Sequence, residues 1–144
     1  DIAVALDVIE HSIDPNQFLE NISKKLKKGG KVFLSLPNAD SLKSKLLNHK
    51  WDMVVPLAHL NFFSKKSIKM SLERNNFELI YLKKYSLANV RRYLRNIIKL
   101  PLKLAEDLLK FDFTSFLFRL RETLITFIDI IDGDQMMVVA KKIN

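Results

Sequence analysis

Up to Leu36 the chain writes two apolar strands with one amphipathic helix between them, and few folds accommodate that order. Ile2-Ala3-Val4-Ala5-Leu6 is a short continuous apolar run, as expected of a strand covered on both faces. Lys31-Val32-Phe33-Leu34-Ser35-Leu36 is a second strand, ended by Pro37-Asn38. Asp14-Pro15 opens the helix between them. Asp14 can cap it, Pro15 suits the first helical position, and Gln17 can close a capping box. Phe18, Leu19, Ile22 and Leu26 make its apolar stripe. Lys27 and Lys28 are expected in its last turn, facing the negative end of the dipole, before Gly29-Gly30 stops it. Two strands joined by a helix in this spacing pair in parallel through a right-handed crossover. The expected fold class is therefore α/β.

The next segments extend the sheet. Residues 40–50 predict a short helix, and 51–63 an irregular loop holding Pro56 and His59. Ser64 caps a helix over 65–75, which Asn76 ends in the left-handed conformation. Residues 77–82 alternate as a strand. From 87 to 131 there is no glycine and one proline, Pro101. Leu87, Val90, Leu94, Ile97 and Ile98 recur at helical spacing, as do Leu117, Leu120, Leu124, Phe127 and Ile131, with breaks near Pro101 and Asp112. Gly133-Asp134 turns into a last strand over 135–140. The expected organisation is a core over 1–84, a helical insertion over 85–132 and a final core strand within 133–144.

Composition narrows the partners. The 144 residues suffice for one domain and contain no cysteine, which excludes disulfides and thiolate metal sites and fits a cytoplasmic protein. No apolar run reaches membrane-spanning length. The net charge of +8 favours acidic partners. However, Lys24, Lys25, Lys27, Lys28, Lys65, Lys66, Lys83 and Lys84 are spread in pairs, as on solvated helix faces, and no nucleic-acid motif accompanies them. Residues 89–109, "NVRRYLRNIIKLPLKLAEDLL", are basic and amphipathic. They could pack on the domain, form a dimer surface or contact an anionic membrane peripherally.

The chemistry-bearing stretch is "DVIEHSIDP", residues 7–15. Asp7, Glu10 and His11 stand at i, i+3 and i+4, so one helical turn puts them on one side. That side lies above the C-terminal edge of the strands, where open parallel sheets bind ligands. Glu10 and His11 could equally cap a helix or pair with each other. His49 sits among lysines, as an exposed residue would.

The pieces "LDVIEHSIDPNQFLENISKKLKKGGKVFLSLPN", Trp51 and "HLNFFSKKSIKMSLERNNFELI" resemble, in that order, the C-terminal half of a class I S-adenosylmethionine-dependent methyltransferase of the type 11/12 kind. The resemblance covers residues 1 to about 84 and the final strand. Lys28 and Asn76 depart from the family's usual Pro and Gly. The resemblance implies a Rossmann-like doubly wound sheet and S-adenosylmethionine as cofactor. It implies that Leu6 and Asp7 line the cofactor's methionine end, though Leu6 could be plain core. It brings His59 back over Glu10 and His11 as catalytic residues. His11 or His59 is then the natural general base. Some relatives, among them small-RNA 2′-O-methyltransferases and quinone-pathway O-methyltransferases, hold a metal with such a set. Asp7, Glu10, His11 and His59 would accordingly suit Mg or Mn. Asn38 and Trp51 fall on the substrate side, where Asn38 could instead form a turn and Trp51 could anchor the loop. The insertion would act as a lid choosing a small-molecule, glycosidic or lipid-linked acceptor, methylated on oxygen.

One large departure remains: no glycine-rich cofactor loop is present among the three glycines. The implied reading is a fragment whose N-terminal half is removed or supplied by a partner chain. The strand over 2–6 then becomes an exposed apolar edge, inviting that partner or a homodimer. The alternative is a non-catalytic interaction half-domain acting through the open edge and its basic helices.

Overall fold

The computed structural model describes residues 1–86, 101–110 and 112–144. Strand β1 (Ile2–Leu6) pairs in parallel with β2 (Lys31–Pro37), from Ile2 opposite Lys31 to Leu6 opposite Ser35. The connection is α1 (Pro15–Lys25), as the spacing requires. Strand β3 (Phe77–Tyr85) does not join β2 directly. Instead β4 (Gln135–Lys142) inserts between them, antiparallel to both, so the order is β1-β2-β4-β3. A register shift between Leu79 and Tyr81 bulges β3.

The core follows from strand alternation. Val32, Leu34 and Leu36 of β2, with Met136, Val138 and Ala140 of β4, are all fully buried. Leu19 of α1, and Ile68 and Leu72 of α3 (Lys65–Arg74), join the same cluster. On the opposite face β1 is bare among the described residues. Ile2, Val4 and Leu6 are 66, 63 and 59 % exposed, and Met137 is exposed beyond them. The expectation that β1 is covered on both faces is thus not met among the described residues, where helices α1 and α3 pack with the core cluster.

Local signals explain most helix ends. Asp14 Oδ1 accepts from the N–H groups of Asn16 and Gln17 at 2.9 and 3.0 Å. Gln17 closes no capping box, because its amide turns to Glu20 and Asn21. Lys24 and Lys25, not Lys27 and Lys28, form the last turn of α1, since Leu26 is already extended. Ser64 and Ser67 make a reciprocal capping box on α3, and Asn76 takes the expected left-handed φ of 64°.

The remaining α-helices among the described residues are α2 (Leu42–Leu47), α4 (residues 101–109) and α5 (Phe113–Asp132). Asp112 caps α5 through Ser115 N, and Arg119 of α5 binds Asp107 of α4 at 2.7 Å. The predicted apolar stripe of α5 is exposed: Leu117, Leu124 and Ile131 are at least half accessible. That helix is joined to the core by polar contacts at its C-terminal end, where Lys84 meets Asp132 at 2.9 Å and Ser86 donates to Asp129 at 2.9 Å. There Gly133 has φ 66° and passes so near Tyr85 that any Cβ would lie 2.7 Å from its backbone. The expected stripe over 87–98 lies outside the described residues. Among the described residues no helix is long and apolar enough to cross a membrane.

Candidate functional site

Three side chains meet beyond the C-terminal end of β1. After Leu6 the backbone turns sharply at Asp7, whose φ is 54°, a left-handed value that Asp tolerates. A single 3-10 turn follows, Ile9–His11. Ile9 is fully buried and anchors that turn in the core, which carries Glu10 inward as well, to 2 % exposure. His59 arrives from the loop between α2 and α3. The N–H groups of Leu60 and Asn61 donate to the Glu10 carbonyl at 2.9 and 3.0 Å, and Asn61 Nδ2 donates to Ser12 O at 2.6 Å. These bonds fasten the loop across the turn.

The result is a compact set. One ligand atom each from Glu10, His11 and His59 lies within 4.8 Å of the others. The two imidazoles meet edge to face, centroids 4.8 Å apart. Each donates its Nδ1–H to a backbone carbonyl: His11 to Ala58 at 2.7 Å, His59 to Met53 at 2.6 Å. A carbonyl can only accept, so Nδ1 of each ring carries a proton, and Nε2 is the nitrogen left for a ligand or a transferred proton. Glu10 Oε2 is buried with no hydrogen-bond partner among the described residues. Burial pushes the Glu10 carboxyl above its ordinary pKa and Asp7 adds to this, while its own backbone N–H and the two imidazoles pull the other way.

The other predicted residues have distinct places. Asp7 is outside the trio, and its carboxylate accepts from Ser35 Oγ at 2.9 Å, with Tyr85 OH 2.8 Å from the same Ser35 oxygen. Leu6 is exposed at the strand end rather than in the core. Asn38 is buried and its amide is used internally, donating to Gly133 O and accepting from Asp40 N, as a turn residue would. Trp51 is 3 % exposed, its Nε1 3.4 Å from Asp134 Oδ2, in the manner of a loop anchor. His49 is exposed.

Sequence reasoning missed two features. Ser35 was legible as a lone hydroxyl in an apolar strand. The second feature is a buried ionic cluster. Lys43 of α2 reaches Asp134 at 2.9 Å, Asp52 at 3.1 Å and Asp129 at 3.7 Å. Burial opposes the Lys43 charge, but the bonds to Asp134 and Asp52 outweigh it and hold the ammonium above its usual pKa. Nothing in the sequence separates Lys43 from the solvated lysines around it.

A parallel strand pair bearing a Glu-His turn at its C-terminal edge, with an antiparallel strand completing the sheet, is methyltransferase architecture. The chain belongs to the methyltransferase domain family, which matches residues 1–82. No curated protein matches it by sequence. Solved structures share the fold. A Thermotoga maritima S-adenosylmethionine-dependent methyltransferase, described as a possible histamine N-methyltransferase, is 14 % identical with a TM-score of 0.58, over 99 % of this chain and 56 % of that one. The Haloferax volcanii complex between the Trm112 methyltransferase activator and the putative methyltransferase gives 12 %, 0.64, 100 % and 54 %. An Archaeoglobus fulgidus methyltransferase gives 19 %, 0.51, 99 % and 59 %. The chain thus spans about half the length of these relatives, and its fold is half of a Rossmann-like methyltransferase sheet.

Proposed function

We propose that this chain supplies the acceptor-side half of an S-adenosylmethionine-dependent methyltransferase. The observation that carries the reading is the trio of Glu10, His11 and His59, its free Nε2 atoms set beside a dry carboxyl at the C-terminal edge of β1. Leu6 ends that strand and Asp7 follows it, and both would line the cofactor. Methyl transfer is in-line attack on a sulfonium carbon, so a protein aids it mainly by positioning and by removing a proton from the acceptor. His11 or His59 can take that proton at Nε2. We assign the acceptor atom as oxygen, on a small-molecule, glycosidic or lipid-linked molecule, with Trp51 and Asn38 shaping its side and residues 85–132 acting as a lid.

The same trio fits a divalent ion such as Mg or Mn. Both histidines already fix their second nitrogen on a carbonyl, as metal-bound imidazoles do. The orphaned Glu10 Oε2 would gain a partner. A bound ion would lower the pKa of an acceptor hydroxyl. Asp7 would complete the set if its carboxylate left Ser35.

The rest of the domain, carrying the glycine-rich cofactor loop, would pack on the bare face made by Ile2, Val4 and Leu6, whether in the same chain or a partner. That face also favours a second reading, a non-catalytic module that binds a partner through the open edge. Nuclear magnetic resonance separates the readings. Millimolar S-adenosylhomocysteine should shift the amide signals of Leu6 and Asp7, and Mn should selectively broaden those of His11 and His59. No response at Leu6 or Asp7 even when a glycine-rich methyltransferase half is joined to the chain would favour the interaction module.

A further inference from the structure

The loop that delivers His59 is pinned at its start as well as at its end. Trp51 Nε1 reaches Asp134, and Gln135 Nε2 donates to the Met53 sulfur at 3.4 Å. Asp52 binds Lys43 at 3.1 Å. Between Trp51 and Met53 the chain is therefore held to α2 and to the turn that links α5 with β4. Met53 is also the residue whose carbonyl receives the His59 Nδ1–H. Lys43 simultaneously contacts Asp129 in the last turn of α5 and Asp134 just after it. Asp129 is tied further, accepting from Ser86 Oγ and from the Asp134 N–H.

We infer that Lys43 is a positioning residue: it locks the Trp51–Met53 segment to the end of α5 and thereby sets where the His59 imidazole stands against His11. The physical argument is one of removal. Lys43 is the cation shared by Asp52, Asp129 and Asp134, and two of these carboxylates are buried. Without the ammonium, buried carboxylates repel and the loop loses its ionic tether. A displaced Met53 carbonyl no longer fixes the His59 ring, and rotation of one imidazole breaks the edge-to-face contact.

The inference rests on the reading of His59 as a site residue, but its test needs neither cofactor nor acceptor. The carbon-bound ring protons of His59 and His11 are followed by nuclear magnetic resonance in the 144-residue chain. Lys43→Met and the milder Asp52→Ala, which removes an exposed carboxylate, should both shift the His59 resonances and alter the nuclear Overhauser contacts between the rings. Lys84→Ala serves as the control, because it breaks the α5 bridge to Asp132 without touching the loop. It should leave His59 unmoved. Unchanged His59 resonances in Asp52→Ala overturn the inference, and so does an equal shift in Lys84→Ala. Should Lys43→Met fail to fold, Asp52→Ala still decides. Loss of cofactor binding with the ring shifts intact would sink the methyltransferase reading and leave this one standing.

Discussion

Glu10 concentrates the conflict at the site. It is a buried carboxyl with one oxygen unsatisfied, raised above 4.5 chiefly by desolvation. A raised folded-state value means that the folded chain holds the proton longer than the unfolded one. Its favourable contribution is present below about pH 4.5 and is lost as pH climbs through the folded value. Glu10→Gln removes that loss. The stability of the variant relative to the wild type should rise between pH 4 and pH 7, because only the wild type must bury a charge or hold its proton there. Thermal melts across that range check it. Added Mn should raise the melting temperature of the wild type and not of Glu10→Gln. Equal responses would remove Glu10 from the proposed ion site. Residue types were readable here: Asp7, Glu10, His11 and His59 stand out in the sequence as groups that carry protons. Their sorting was not, because the left-handed turn at Asp7 sends its carboxylate to Ser35 instead of the trio, and only the fold fixes that direction.

At the scale of elements, the strand-helix-strand start was legible because strand burial, capping and glycine placement agree. Asp14→Ala should cost about 0.5–2 kcal/mol, the range for lost N-caps, measured by denaturant unfolding. The corresponding prediction for β1 concerns association. Its unpaired edge carries no lysine or proline to blunt pairing, and three of its five side chains are exposed and apolar. Sedimentation should show concentration-dependent self-association that Val4→Lys abolishes. A wild-type chain that stays monomeric throughout would argue against the edge as a contact surface. The helical spacing of the α5 stripe was read correctly, but periodicity reports an apolar face and not what covers it, so the exposure of Leu117, Leu124 and Ile131 was not legible.

For the whole molecule, half a methyltransferase sheet can still hold a core, because α1 and α3 cover one face and β4 is paired along both edges. The antiparallel position of β4 was beyond sequence reasoning, since a strand's neighbours are chosen by the assembled sheet. That position has a consequence during synthesis. The strand that joins β2 to β3 comes last of the four, after the whole of α5. At about 5–20 residues per second the ribosome needs several seconds to pass from Tyr85 to Lys142. Through that interval β2 and β3 have finished translation with their shared partner still unmade. The nascent chain therefore carries two unclosed edges, and a chaperone that shields them in this window would govern how much of the protein reaches the native sheet.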